Sequence, residues 1–176
     1  MTILTTARLR LEPITDAHFE GLHALNSDAE VMRYVTGRPD TPEDTWEAIE
    51  RTKARWAEWG YSWWAFIEIE TGELVGAGCV QHLGRDKANP HETGWRLRRD
   101  RWGRGYAIEA AREMARFAFE DLRAPELCAV CMPENVASSR VMERLGMSYR
   151  GSGHWYDMEM SVYGMSHAEW LGTRPA

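Results

Sequence analysis

Trp102-Gly103-Arg104-Gly105-Tyr106-Ala107 is the stretch whose reading decides the fold. It follows the short apolar run Gly94-Trp95-Arg96-Leu97 and opens a helix-patterned segment over residues 106–122. Glycine has no Cβ, so main-chain N–H groups in such a loop can approach a ligand closely. The amides of a helix's first turn lack intrahelical partners and lie at the positive end of its dipole. A strand, a glycine loop and a helix start in that order favour a phosphate or pyrophosphate. Arg96, Arg98, Arg99, Arg101 and Arg104 place five arginines within nine positions of an acidic chain. The competing reading is a tight strand-to-helix turn with solvated arginines. A dinucleotide fingerprint is excluded, because Ile108 stands where G-x-G-x-x-G requires glycine, and no Walker sequence G-x-x-x-x-G-K-[ST] occurs.

A second segment decides what the turn belongs to. It runs Asn135-Val136-Ala137-Ser138-Ser139-Arg140-Val141-Met142-Glu143-Arg144-Leu145-Gly146-Met147. Together, W-G-R-G-Y-A-I-E-A from Trp102 and N-V-A-S-S-R-V-M-E-R-L-G-M from Asn135 resemble the GCN5-related N-acetyltransferase (GNAT) superfamily. The resemblance is to the subgroup that includes the ribosomal-protein N-terminal acetyltransferases. The opening Thr6-Ala7-Arg8-Leu9-Arg10-Leu11-Glu12-Pro13 is similar to that subgroup's first strand, and Ala168-Glu169-Trp170 to its closing E-E-W. The likeness therefore spans nearly the whole chain.

Composition bounds the answer independently. At 176 residues the chain is expected to be one domain over residues 1–176, long enough to bury a proper core. It shows no charged leader followed by an apolar core and no apolar run of eighteen residues, which predicts a soluble cytoplasmic protein without membrane contact. A formal net charge of −6 argues against general nucleic-acid binding. Cys79, Cys128 and Cys131 are an odd count within strand-like runs, so buried thiols are expected in place of a disulfide framework. Cys128 and Cys131 form a C-x-x-C, but strand alternation sends positions i and i+3 to opposite faces, and no second pair completes a zinc site.

Residues 8–12 alternate and read as a strand closed by Pro13. Thr15 can cap a helix over residues 16–26. Ser27-Asp28-Ala29-Glu30 reads as a capping box for a short helix through Tyr34. Thr41-Pro42-Glu43-Asp44 starts a third helix, with Pro42 at the tolerated first position and Gly60 as its end. Trp56, Trp59, Trp63 and Trp64 cluster after it, as core or as wall of an acceptor site. Residues 63–70 and 74–81 are strands joined by a glycine turn, and Gly76 and Gly78 suggest close backbone approach. Residues 92–97 and 127–132 flank the long helix and should be parallel neighbours. A helix from Asn135 to Gly146 and one or two strands over residues 149–163 complete the chain. The expected fold is α/β: a mixed, mostly antiparallel sheet with a central parallel β-α-β unit and helices on both faces.

The resemblance implies an acetyl-CoA-dependent N-acetyltransferase with acetyl-CoA as co-substrate, no metal and an amine acceptor, and it leaves room for a homodimer. It implies that the acetyl group and pantetheine lie along Trp95, Arg96 and Leu97. The pyrophosphate would lie on Trp102, Gly103, Arg104, Gly105, Tyr106 and Ala107, with Arg99 among the phosphate-facing arginines. Acetyl transfer needs a base to neutralise the amine and a donor for the leaving thiolate. Glu92 is the first choice for the base, its other reading being a strand-edge carboxylate. Asn135 would hold the pantetheine arm and Ser138 would donate to the thiolate. Many relatives carry a tyrosine acid where this chain has Met142, which leaves Ser138, Tyr156 or water as stand-ins. His154, Tyr156 and Asp157 are candidates for the acceptor pocket. The acceptor is a protein N-terminus, or a small molecule such as a polyamine, amino acid or antibiotic. A non-catalytic acyl-CoA-binding module is the reading from a different class.

Overall fold

The computed structural model describes residues 1–173. Eight strands form one sheet in the order β1-β2-β3-β4-β5-β6-β8-β7. They are β1 (Leu4–Thr5), β2 (Leu9–Pro13), β3 (Trp63–Glu68), β4 (Leu74–His82), β5 (His91–Leu97), β6 (Glu126–Cys131), β7 (Ser148–Trp155) and β8 (Met158–Ser166). The pairings of β1 with β2, β2 with β3, β3 with β4, β6 with β8 and β7 with β8 are antiparallel. The β5–β6 pair is parallel, in register at His91↔Leu127 and Glu92↔Cys128. This is the mixed α/β sheet expected from the β-α-β reading. The chain divides into two compact units, Met1–Cys79 with Trp95–Ala110, and Val80–Gly94 with the remainder from Ala111.

In the first unit, α1 (Phe19–Asn26), α2 (Ala29–Met32) and α3 (Pro42–Trp59) precede β3. Thr41 caps α3 by accepting from the Asp44 amide at 3.1 Å, and Asp44 returns a bond to the Thr41 amide at 2.9 Å. Gly60 ends it with φ +80°, a conformation that suits glycine. The expected box at Ser27 is corrected: Asp28 is the cap of α2, accepting from the Glu30 amide at 2.9 Å, and the helix stops at Met32, short of Tyr34. Leu22, Leu25, Val31, Met32 and Ile49 close over Ala65, Ile67 and Ala77 as the core. Trp56 and Trp64 are buried with their rings edge to face at 5.2 Å, so this part of the tryptophan cluster is packing. A Cβ on Gly76 would meet the Arg96 carbonyl oxygen at 2.6 Å, which is the close approach its position implied.

The helix after the glycine turn is α4 (Tyr106–Arg116), and its regular turns give way to a π-turn over Phe117–Asp121 before the strand β6. In the second unit α5 (Val136–Leu145) is capped by Asn135 and ended by Gly146 at φ +103°. The α6 helix (His167–Gly172) sets Trp170 and His167 against the buried Phe119 ring, each at 5.6 Å. Strands β7 and β8 meet at Tyr156-Asp157, both with positive φ (+55° and +61°). Cys79, Cys128 and Cys131 are buried and in no disulfide among the described residues, as expected from their strand positions.

Candidate active site

In the first unit the glycine turn is held from several sides. Gly103 and Gly105 have φ of +71° and +81°. A Cβ at Gly103 would meet nothing within 4 Å, and one at Gly105 only the Arg8 Nη2 at 3.5 Å, so backbone conformation demands glycine and the space beside the turn is open. That open main chain with its first-turn amides fits a diphosphate. The Trp102 indole donates to the Leu97 carbonyl at 2.9 Å, and Arg8 Nη1 donates to the Arg104 carbonyl at 3.0 Å. Arg8 also lies over the Tyr106 ring at 4.2 Å and pairs with Glu109 at 2.6 Å. The Tyr106 hydroxyl donates to buried Glu68, which with Thr71 and Arg101 pushes that carboxyl down to about 2.

The five arginines do not act alike. Arg98 is bound to Glu73 and Asp100, and Arg101 to Glu68, Glu73 and Asp100. Arg99 Nε lies 3.4 Å from Asp28 and is exposed, as are Trp102 and Arg104. Arg96 turns to Asn26, donating from Nε to Oδ1 at 2.8 Å, with its guanidinium 4.8 Å from the Trp63 ring centroid. Burial lowers its pKa. Of the five, Arg99 and Arg104 are the exposed ones.

In the second unit Glu92 is buried, at 6% exposure. The Tyr156 hydroxyl donates to its Oε2, and so does Gln81 Nε2 at 3.1 Å. The Tyr156 oxygen in turn accepts from Gln81 Nε2 at 3.3 Å and from the Gly84 amide at 3.2 Å. Arg85 stacks over the Tyr156 ring at 5.2 Å. Oε1 accepts no hydrogen bond among the described residues. Burial raises the Glu92 pKa against the opposing pull of Tyr156, Gln81 and Arg85. This is a carboxylate with one oxygen held by two donors, the other without a hydrogen bond among the described residues, and its proton affinity raised, which suits a general base. Nearby, His91 is pushed down to about 4 by burial and by His82, whose ring lies 4.4 Å away.

Asn135 uses Oδ1 to accept the Ser138 amide at 3.2 Å, a helix-cap role that leaves its amide nitrogen for another partner. Met142 is buried at 2% exposure, so this α5 position is part of the core. His154 is exposed and pairs with Glu159 at 3.1 Å. Sequence reasoning missed Gln81, whose signal was a lone amide ending an apolar run from Leu74 to Val80, and missed the Tyr156–Glu92 bond. It also missed Arg8 and Asn26, whose partners lie about 100 and 70 residues away.

Comparisons with known proteins agree with the fold. The acetyltransferase (GNAT) domain family matches residues 8–148. The chain is 31% identical over 163 residues to the uncharacterized YkkB of Bacillus subtilis, covering 92% of this chain and 94% of that protein. It is 34% identical over 158 residues to the FsC-acetyl coenzyme A-N(2)-transacetylase of Aspergillus fumigatus, covering 83% of this chain but only 65% of that protein. A crystal structure of an Agrobacterium tumefaciens acetyltransferase superposes with a TM-score of 0.81 at 31% identity, over 94% of each chain. The protein therefore belongs to the GNAT family of acetyltransferases.

Proposed function

We propose that this chain moves the acetyl group of acetyl-CoA to a primary amine, with Glu92 as the general base, and that residues 1–176 act as one catalytic domain. The observation that carries the reading is the Glu92 carboxylate, buried, tied at Oε2 and unengaged at Oε1 among the described residues. The main chain at Gly103 and Gly105 and the first-turn amides of Tyr106 and Ala107 would hold the diphosphate, with Trp102, Arg104 and Arg99 at its edge. Amides of Trp95, Arg96 and Leu97 would donate to the acetyl oxygen and the pantetheine arm. The Asn135 amide nitrogen would meet the same arm, and the Ser138 hydroxyl would donate to the departing sulfur.

When bound, acetyl-CoA supplies a thioester whose C–S bond breaks as the C–N bond to the amine forms. Glu92 takes the proton that the amine must lose, directly or through one water. A raised pKa brings the carboxylate closer to the amine in proton affinity, so transfer to it costs less. The motif likeness to the N-terminal acetyltransferase subgroup supports a protein N-terminus as acceptor. The relative named for acetylation at N(2) supports an amino nitrogen as the acceptor atom.

The test is thiol release from acetyl-CoA with N-terminal peptides, polyamines, amino acids and aminoglycosides, followed by Glu92→Gln with the best amine. Glu92→Gln should lower turnover by roughly 10²–10⁴-fold with acetyl-CoA affinity nearly unchanged. Raising the pH should recover part of the loss, because more amine is then already neutral. A variant with the parent's rate and pH profile would move the base elsewhere.

A further inference from the structure

We infer that the Arg96 side chain is a carboxylate fork for the acceptor, so that the amine acetylated by this protein also carries a carboxylate, as an amino acid does. The inference rests on the acetyl-transfer reading, which sets the acetyl group against the main chain of Trp95, Arg96 and Leu97. The guanidinium of the middle residue then stands at the reacting end of the co-substrate, away from the diphosphate turn.

Arg96 is built to hold one geometry. Its Nε is fixed on Asn26, itself 2% exposed, and its plane rests near the Trp63 ring. Its main chain is pinned where Gly76 packs on its carbonyl. Neither Nη group has a hydrogen-bond partner among the described residues, although a guanidinium carries five donors in a planar fork. Burial depresses its pKa, so the charge has already lost much of its water, while the residue as a whole is only half-buried. A preorganised, partly desolvated fork with its ends free matches a bidentate carboxylate.

Asp40 argues for a carboxylate over a phosphate. Its charge acts on Arg96, yet the two form no ion pair among the described residues, and its own pKa is raised chiefly by burial. Asp40 is placed beside Asn26, its amide donating to the Asn26 carbonyl at 2.9 Å. A dianionic phosphate would be repelled by it. A monoanionic carboxylate is repelled about half as much by the same charge.

The experiment compares α-amino acids with the amines that differ only by loss of the carboxylate, such as phenylalanine with phenethylamine and tryptophan with tryptamine. Thiol release is followed for the parent, Arg96→Gln and Arg96→Lys. The parent should prefer the carboxylate-bearing member in kcat/KM by about 10- to 100-fold, the worth of a charged hydrogen-bonded pair. Arg96→Gln should erase most of that ratio through KM, and Arg96→Lys, which keeps charge but not the fork, should restore only part. Melting temperature and CoA binding confirm that each variant folds. Equal use of both members by the parent would overturn the assignment, and so would a variant that raises KM for acetyl-CoA while leaving the ratio intact. If no amine turns over, the acetyl-transfer reading falls by itself. Calorimetry of the same amino acids with parent and Arg96→Gln then decides the fork: weaker binding to the variant supports it, equal binding overturns it.

Discussion

Tyr156 shows how one residue sets the properties of another. Its hydroxyl stabilises the ionised form of Glu92, so it opposes the upward pull of burial. Tyr156→Phe removes that donor, and the Glu92 pKa should climb further. With Glu92 as the proposed base, the reaction would need the carboxylate, so the acidic limb of the pH–rate profile should move to higher pH while the plateau falls less than in Glu92→Gln. An unmoved limb would mean that Tyr156 only packs. Such pairings were illegible in the sequence for a definite reason. Tyr156 and Glu92 lie 64 residues apart, as do many candidate partners, and only the fold selects among them. Gly103, Gly105 and Asn135 were legible because their roles are set by backbone conformation or by a neighbour three residues away.

At the level of elements, the bend leading into β2 and the helix α4 are joined at the glycine turn by Arg8. It bonds Glu109 through its amide and Nε, at 2.8 and 2.7 Å, and the Arg104 carbonyl through Nη1. Arg8→Ala should therefore raise KM for acetyl-CoA several-fold with a smaller change in kcat, and Arg8→Lys should recover part of it. Gly105→Ala should do the same and also cost about 1–2 kcal/mol of stability, because its φ of +81° disfavours a Cβ. Steady-state kinetics against acetyl-CoA and thermal melts check both variants. The α3 helix was legible to the residue at its start because Thr41, Pro42 and Asp44 act locally. The π-turn after Arg116 and the shift of the α2 cap to Asp28 were not: Ser27 and Asp28 are both good cap residues at neighbouring positions, and helix ends vary by a residue or two.

For the whole molecule, His91, Glu68 and Glu92 are among the groups that shape stability against pH. His91 is neutral in the fold down to about 4, whereas an unfolded histidine takes a proton near pH 6.5. Stability should therefore fall as pH drops from 6.5 to 4, at up to about 1.4 kcal/mol per pH unit. Glu68, ionised down to about 2, adds stability above pH 4.5 that is lost as pH falls below it. Glu92 acts in the opposite sense: its raised pKa makes the charged form unfavourable, so stability declines as pH rises through that pKa. Glu92→Gln should melt above the parent at pH 7, with the gap closing toward pH 4. His91→Phe should flatten the slope between pH 6.5 and 4. Thermal melts across that range decide both. Among the described residues no helix is long and apolar enough to cross a membrane.

The left-handed backbone at Tyr156 has an evolutionary consequence. A tyrosine held at φ +55° costs the fold on the order of 1–3 kcal/mol that glycine or asparagine would spare. A library varied at this position should separate under two kinds of selection. Enrichment for thermal survival should replace the aromatic ring with Gly or Asn, and enrichment for acetyl transfer should keep it. Lineages that have lost the reaction would drift toward the former, so the identity at this corner would record whether an ancestor still worked as an enzyme.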